Sequence, residues 1–153
     1  MIEIQAPNAY QHLDAITVFL GGSIEMNSAE EWQKHIIREC ADTDITFLNP
    51  RRDNWNNSVP QVADNPEFAE QVNWELDALN YADLVVFYFD PNTKSPITLM
   101  ELGLMAKTAQ KLVIVCCPDG YWRKGNVEIV CKRHWIPVVD TLEEVIVKIR
   151  NLK

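Results

Sequence analysis

Glu101 is the residue of this sequence whose surroundings first raise a chemical question. It lies in the segment SPITLMELGLMA, from Ser95 to Ala106, a helical pattern built mainly of apolar residues. Helical spacing puts it on one face with three apolar residues, Ile97, Leu104 and Met105. An ionised carboxylate there is partly desolvated unless a partner, a ligand or water reaches it. The alternative is a glutamate at the edge of a core helix that simply reaches solvent.

Two further acids, Glu75 and Asp77, lie in the segment FAEQVNWELDALNYAD, from Phe68 to Asp83, which has an amphipathic helical pattern. Because they are two residues apart, they cannot both face the same crevice. Only one of them could face the ligand crevice. Each of the two is otherwise an ordinary solvated residue of a helix surface.

Small residues follow the first predicted strand, in the order Gly21-Gly22-Ser23. We expect a tight turn from strand to helix, where backbone N–H groups and a hydroxyl can approach phosphate or sugar oxygens. The segment matches neither the dinucleotide-binding fingerprint nor the Walker loop. A purely structural turn explains it equally well.

Aromatic residues in loops are candidates for stacking on a base. Trp55 and Trp122 lie in predicted loops, whereas Trp32, Trp74 and Trp135 are expected in the core. Trp55 belongs to the segment from Asn49 to Asp64, which is rich in Asn, Pro and charge. That segment is too long for an ordinary connection, so a functional loop or partial lid is expected.

The elements that must position these residues alternate along the chain. Strands are predicted at Ala15–Leu20, Ile45–Leu48, Leu84–Phe89, Leu112–Cys116 and Ile136–Val139. Helices are predicted at Ala29–Cys40, Pro66–Asn80, Pro96–Thr108, Asn126–His134 and Leu142–Leu152. The alternation predicts an α/β fold with a doubly wound, mainly parallel sheet, flavodoxin-like or Rossmann-like, in a single domain over residues 1–153. Ligands of such sheets bind beyond the carboxyl ends of the strands, where the segments GGS, NPRRDNW, DPNTKSP and CPDGYWRKGN fall.

Helix start signals support these boundaries. Ser28 with Glu31 fits a capping box, and Thr141 fits an N-cap. Asn65 and Ser95 each precede a proline, which suits the first position of a helix.

Composition excludes several classes of protein. The formal net charge of −8 opposes a groove for a nucleic acid polymer. The sequence has no apolar run long enough for a membrane span and no basic, apolar leader, which predicts a cytoplasmic protein without membrane contact. The four cysteines form no CxxC pair and are expected to be reduced and buried, and the three histidines are far apart, so no metal is expected. No cofactor is expected, since the contacts of a flavin phosphate are not evident.

Five segments in this order resemble the nucleoside 2-deoxyribosyltransferase-like family and the related 2'-deoxynucleoside 5'-monophosphate N-glycosidases. They are FLGGSIE, FLNPRRDNW, NWELDALNYADLVVFYF, SPITLMELGLMA and GNVEIV, and the resemblance runs from about Thr17 to Asp140. It implies that Glu101 is the nucleophile and that Glu75 binds and protonates the base. It also implies that Asn126 enters a neighbouring subunit's site, and hence a homodimer or larger homo-oligomer.

Two positions depart from the transferase pattern. Val18 stands where the transferases have a tyrosine that positions the catalytic carboxylate, and Ser95 stands where they have an aspartate that binds the sugar 5'-hydroxyl. Ser95 together with Gly22-Ser23-Ile24 is similar to the monophosphate hydrolases. A hydroxyl in place of a carboxylate removes repulsion toward a 5'-phosphate and adds a donor.

The resemblance implies an enzyme that cleaves or transfers at the N-glycosidic bond of a 2'-deoxynucleoside or its 5'-monophosphate. A covalent deoxyribosyl ester on the glutamate would be the intermediate. Transferase and hydrolase, and nucleoside and nucleotide, remain alternatives at this point. A non-catalytic nucleotide-binding or sensing domain of the same fold is the rival hypothesis, favoured by Val18 and opposed by the joint presence of Glu101, Glu75 and Asn126.

Overall fold

The computed structural model describes residues 1–11, 13–24, 31–108 and 111–152 of the chain. Its strands are β1 Ile2–Gln5, β2 Ile16–Gly22, β3 Ile45–Asn49, β4 Leu84–Tyr88, β5 Leu112–Cys116 and β6 Val138–Val139. Its helices are α1 Trp32–Glu39, α2 Pro66–Tyr81, α3 Pro96–Ala106, α4 Lys124–Arg133 and α5 Leu142–Arg150.

The six strands form one sheet in the order β1-β3-β2-β4-β5-β6, and every neighbouring pair is parallel. Without β1 this is the flavodoxin-like strand order, which confirms the predicted α/β fold. Of the four inner strands, β3, β2 and β4 are almost wholly buried. Burial on both faces is what gives parallel strands their continuous apolar sequences, such as LVVFY in β4.

Helices cover both faces of the sheet. On one face α2, α3 and α4 pack through residues such as Trp74, Leu102 and Val127. On the other face α1 and α5 pack through Trp32, Ile36 and Val145 among others. The four cysteines are buried and free, as predicted. Adjacent Cys116 and Cys117 belong to opposite layers because successive residues of a strand point to opposite faces.

The N-terminal segment adds a strand that the sequence did not predict. Strand β1 pairs with β3 at the edge of the sheet, with Ile2 opposite Thr46. Beyond it, the Tyr10 hydroxyl lies 3.3 Å from the carbonyl oxygen of Trp74, and the Trp74 indole N–H donates to the Asn8 carbonyl at 2.8 Å. Residues 1–11 therefore brace the middle of α2.

Helix starts agree with the sequence in part. The Asn65 side chain accepts from the Phe68 amide and Thr141 forms a capping box with Glu144, as predicted. Ser95 occupies the N-cap position before Pro96, as predicted, but it has a left-handed backbone with φ 47° and its side chain makes no cap bond. The predicted Ser28 cap lies outside the described residues, within which α1 begins at Trp32. Strand β6 is two residues shorter than predicted, and α4 begins two residues earlier.

Two tryptophans bear out the predicted core and one does not. Trp32 and Trp74 are buried, whereas Trp135 is 94% exposed after the end of α4, in a positive-φ conformation. The segment from Pro50 to Asp64 contains turns but no helix or strand, as expected for a long connection. Over the part of the chain that is described, no helix has both the length and the apolar character to cross a bilayer.

Candidate active site

Helix α3 buries its glutamate and exposes its apolar residues. Glu101 is 5% exposed and lies on the inner face with Thr98, Leu102 and Met105. Ile97, which we expected beside it, is 57% exposed, and Met100 and Leu104 are also exposed. Glu101 is therefore desolvated, and the alternative in which it reaches solvent is wrong. The predicted face is also wrong, because Ile97 and Leu104 point outward. A helix in this orientation hides an acid at the cost of leaving apolar surface in water.

Glu75, on α2, acts electrostatically on Glu101 across the layer of helices. Burial, and to a smaller extent the charge of the nearby Glu75, together raise the pKa of Glu101 to about 8. Burial likewise raises the pKa of Glu75 to about 7. Two carboxyl groups removed from water and close to each other resist ionising together, so the pair retains protons near neutral pH. Perturbed acids of this kind are typical of catalytic sites.

Gln71 holds Glu75 from one turn earlier on α2. Its side-chain Nε2 donates to Glu75 Oε1 at 2.7 Å and to the Pro50 carbonyl oxygen at 2.9 Å. The first bond favours the ionised form of Glu75 and partly opposes the effect of burial on its pKa. Gln71 is itself buried, and among the described residues nothing donates to its Oε1 atom.

Three buried hydroxyls form a cluster where the chain leaves β2 and β4. Ser23 Oγ lies 2.5 Å from Ser95 Oγ, and Thr93 Oγ1 lies 2.8 Å from both. The Asp90 amide donates to Ser23 Oγ at 2.9 Å, and Thr93 Oγ1 donates to the Asp90 carbonyl at 3.0 Å. This hydroxyl cluster joins two loops that are 70 residues apart in sequence, and it places Ser95 directly before α3.

Gly21 and Gly22 are the last residues of β2 rather than a turn, so the predicted turn is wrong. They pair with Phe87 and Tyr88 of β4. Gly22 has φ 151°, and a Cβ built on it would lie 2.5 Å from the Tyr88 carbonyl oxygen. The glycine therefore permits a close approach of two backbones, and that approach brings Ser23 to Tyr88 and the hydroxyl cluster.

The remaining predicted site residues lie around this centre. Trp55 is half-buried in the loop after β3, with the Arg52 guanidinium 5.3 Å from its ring centre. Asp77 is exposed on α2, where it acts on Tyr10. Asn126 is exposed near the start of α4. Of these three, the described contacts connect none with Glu75 or Glu101.

Glu101 is buried, whereas Glu75 keeps partial exposure to solvent. Surface cavities of about 400 and 310 Å³ exist, and Glu75 and Glu101 line neither of them. Within the described ranges, His, Cys, Asp and Glu side chains form no group of three or more arranged for a metal ion.

Sequence and structural comparisons show the family and the fold of the chain. The model of the family described as nucleoside 2-deoxyribosyltransferase like matches residues 15–121, which is more than half of the chain. The chain belongs to this family. The matched stretch contains Glu75, Glu101 and the three residues of the hydroxyl cluster. Among curated proteins, no significant match to the sequence is found.

Two solved structures show the same fold as this family member. A conserved protein from Enterococcus faecalis V583 superposes with a TM-score of 0.60 and 12% identity, covering 89% of this chain and 98% of the other. The CMP N-glycosidase BcmB from Clostridium botulinum superposes with a TM-score of 0.54 and 16% identity, covering 89% and 99%. At identities this low, the superpositions establish a likeness of fold alone.

The structure adds two residues that sequence reasoning missed. Gln71 lies four residues before Glu75, a helical spacing at which side chains meet, so this signal was available. Thr93 lies two residues before Ser95 in the segment DPNTKSP, where nothing in its own neighbourhood marks it. Its importance comes from Ser23, which only the pairing of β2 with β4 brings near.

Proposed function

We propose that this deoxyribosyltransferase-like protein hydrolyses the N-glycosidic bond of 2'-deoxynucleoside 5'-monophosphates, with Glu101 as nucleophile and Glu75 as general acid. The observation that carries this proposal is the pair Glu75 and Glu101, two acids with raised pKa values that interact electrostatically and lie within the family's matched stretch. Retaining glycosidases need such a pair, one carboxylate to attack the sugar carbon and one carboxylic acid to protonate the leaving group.

The first step breaks the bond between sugar and base. Glu101 gives up its proton to water, and its carboxylate oxygen then attacks C1' while the C1'–N bond breaks and the electron pair of that bond leaves with the base. Glu75 gives its proton to the base, which departs neutral, and a deoxyribosyl ester of Glu101 remains. Positive charge that develops at the sugar favours the ionised form of Glu101, so the substrate opposes the burial that keeps this group protonated at rest.

The second step releases the sugar. Glu75, now ionised, takes a proton from water, and the resulting hydroxide oxygen attacks C1' and displaces the Glu101 carboxylate. The products are 2-deoxyribose 5-phosphate and an enzyme with both carboxyl groups restored. A pKa of Glu75 near 7 suits a group that must first donate and then accept a proton.

The hydroxyl cluster supports a phosphate on the substrate. Ser95 precedes Glu101 by six residues, about 9 Å along a helix, so the cluster and the nucleophile are separated by a distance suited to one sugar phosphate. Hydroxyls can turn from one another to donate to phosphate oxygens, whereas an aspartate at Ser95 would repel them. BcmB, the structural neighbour, is by name a CMP N-glycosidase, which supports a monophosphate substrate.

A non-catalytic nucleotide-binding domain is the second candidate, and Val18 favours it. Val18 is fully buried in β2, so the position where the transferases have a tyrosine offers no hydroxyl to support a carboxylate. Such a domain would bind a monophosphate and release no base, and the same assay distinguishes the two candidates.

The test is product analysis. Purified protein is incubated with 2'-deoxynucleosides and their 5'-monophosphates, with and without an acceptor base, and the products are resolved by chromatography. We expect free base and 2-deoxyribose 5-phosphate from monophosphates without acceptor. Exchange of bases that requires an acceptor would make the protein a transferase. Binding without base release would establish the second candidate.

The exposed apolar faces of α3 and α4 support a homodimer or larger homo-oligomer. Ile97, Met100 and Leu104 of α3 are exposed, and so are Trp122 and the 70% exposed Ile129 of the α4 region. Helices α3 and α4 contact each other. Association of two copies would cover this surface. It would also bring Asn126 close to the partner's site, as the family resemblance implies.

Sedimentation tests this assembly. We expect a dimer or larger species at micromolar concentration, and Ile129→Lys should shift it toward monomer. Monomeric protein that stays active on dilution would contradict it. Glu128→Lys, at the neighbouring exposed position of the same helix, is the control for added charge.

A further inference from the structure

The side chain of Gln71 has a fixed orientation with an unused acceptor. Its Nε2 atom already donates to two oxygens, Glu75 Oε1 at 2.7 Å and the Pro50 carbonyl at 2.9 Å. Rotating the amide by half a turn would place Oε1 against both of these acceptors. The amide is therefore held in one orientation, and this assigns its oxygen as the atom that faces away from them.

That oxygen is buried without a donor. Gln71 is 8% exposed, and within the described part of the chain Oε1 has no hydrogen-bond partner. An unsatisfied buried acceptor costs about 1–3 kcal/mol, so such atoms are rare and call for an explanation. The two atoms of the amide share one carbon, and Oε1 therefore lies beside the carboxyl group of Glu75.

We propose that Gln71 positions Glu75 and reads the base of the substrate, so that the site selects bases carrying an amino group next to the ring nitrogen that faces Glu75. This inference rests on the proposed function. The Glu75 carboxylic acid presents a donor and Gln71 Oε1 presents an acceptor. Cytosine and adenine offer the complement, a ring nitrogen that accepts and an adjacent amino group that donates.

Bases with an oxo group at that place are disfavoured. Uracil and hypoxanthine would put a carbonyl oxygen against Gln71 Oε1 and a ring N–H against the acid that should donate. Discrimination by buried polar groups is strong because a mismatch leaves them unpaired. The same Gln71 bond also places the remaining proton of Glu75 on Oε2, the oxygen that Gln71 does not occupy.

The polar surroundings of Glu75 allow this role to be tested. Glu101 faces it from α3, and Gln71 contacts it from its own helix. The loop after β3 contributes the Pro50 carbonyl, followed by the buried Arg51. Replacing Gln71 by methionine keeps the length of the side chain and removes both the donor to Glu75 and the acceptor to the base.

The experiment compares matched substrates. Wild-type protein, Gln71→Met and the control Asn73→Met, at an exposed position two residues along α2, are assayed with dCMP against dUMP and with dAMP against dIMP. We expect wild type and Asn73→Met to favour the amino member of at least one pair by about tenfold or more, the value of roughly one hydrogen bond. In Gln71→Met the preference should fall to within about threefold. A wild-type preference for oxo bases, or a ratio unchanged in Gln71→Met, would overturn the base-reading role.

The pH profile and a carboxyl titration test the positioning role. Losing the Gln71 donor should move the alkaline limb of kcat/KM upward by about one pH unit, since the protonated form of Glu75 gains. Carboxyl ¹³C NMR should show the same upward movement for Glu75 without any turnover. Unchanged titration in folded Gln71→Met would overturn this role. If Gln71→Met does not fold, Gln71→Asn, whose shorter amide cannot span both acceptors, replaces it in every arm.

Failure of the proposed function gives a different result. Wild type would then release no base from any substrate. The preference for an amino-bearing base is in that case measured as binding, by calorimetry with dCMP and with dUMP. If wild type binds dCMP more tightly than dUMP and Gln71→Met binds the two equally, Gln71 reads the base in a protein that is not an enzyme. Equal binding, or none, would overturn it.

Discussion

The hydroxyl cluster is buried and the carboxyl pair of Glu75 and Glu101 is largely withdrawn from solvent, yet their polar groups are satisfied in opposite ways. Ser23, Thr93 and Ser95 bond to one another and to backbone groups of the β4 loop. Glu75 has a donor from Gln71, whereas Glu101 lies in an apolar helix face with a second acid nearby. One region is complete in the folded chain, and the other is complete only when a substrate supplies charge.

This difference separates stability from activity within a few residues of α3. Hydrogen bonds among neutral hydroxyls stabilise the junction of two loops at little electrostatic cost. Buried acids without a cation destabilise the fold when they ionise, and they keep the reactivity that a solvated carboxylate lacks. Substitutions in the two regions should therefore have different consequences.

The largest expected effect is the loss of base release in Glu101→Gln. Removing the nucleophile should lower kcat by a factor of about a thousand or more, while the neutral amide fits the same buried volume. Steady-state kinetics with a deoxynucleotide, together with circular dichroism, measure rate and fold separately. Wild-type turnover in the folded variant would remove Glu101 from the mechanism.

The pH dependence of stability should come largely from the carboxyl pair. Because the pKa values of Glu101 and Glu75 are raised in the folded state to about 8 and about 7, their contribution is fully present below about pH 4.5 and is lost as pH rises through 8. Gln carries no charge, so the free energy of unfolding of Glu101→Gln should not fall over this pH range as that of wild type does. The difference between variant and wild type should grow by an amount on the order of 3 kcal/mol. Urea unfolding at several pH values measures the gain, with exposed Glu67→Gln as the control. A gain that does not vary with pH would contradict the proposed burial of charge.

A substitution in the hydroxyl cluster should mainly lower the stability of the fold. In Ser23→Ala the Asp90 amide and the Thr93 hydroxyl lose an acceptor, and an unpaired buried donor costs about 1–3 kcal/mol. Exposed Ser58→Ala, which loses a bond to Asn56, should cost far less. If thermal or urea unfolding finds the two variants alike, the cluster is not the rigid junction described above.

The smallest expected effect is a change of substrate preference in Ser95→Asp. Aspartate tolerates the left-handed backbone of this position, so the variant should fold. A carboxylate there repels a 5'-phosphate and should shift the preference from monophosphate toward nucleoside at least about tenfold. Ser95→Ala, which removes the hydroxyl without adding charge, should shift it less. An unchanged ratio of kcat/KM values would show that Ser95 does not meet the phosphate.

The sheet could be predicted because buried parallel strands have a distinctive sequence. Continuous apolar runs such as Leu84–Tyr88 alternate with helical patterns, and the alternation determines the fold class. Edge strand β1 escaped prediction because it has four residues and half of them face solvent. Trp135 was misplaced because periodicity does not show that the chain turns outward in a left-handed conformation after α4.

The site was predictable as residues but not as an arrangement. The resemblance pointed to Glu101 and Glu75 from short motifs, whereas the hydroxyl cluster depends on β2 lying beside β4, which no local pattern states. The buried face of α3 was predicted wrongly for a related reason. Helical periodicity predicts that apolar residues face the core. On α3, however, Ile97, Met100 and Leu104 are exposed, and no described part of the chain covers them.

The brace made by residues 1–11 bears on how this protein can diverge from its relatives. The family match begins at residue 15, so Asn8 and Tyr10 lie outside the pattern that the family shares. They nevertheless hold Trp74, the residue next to Glu75 on α2. Inherited changes in this peripheral segment can therefore alter the setting of the helix beneath the site while every motif residue stays the same.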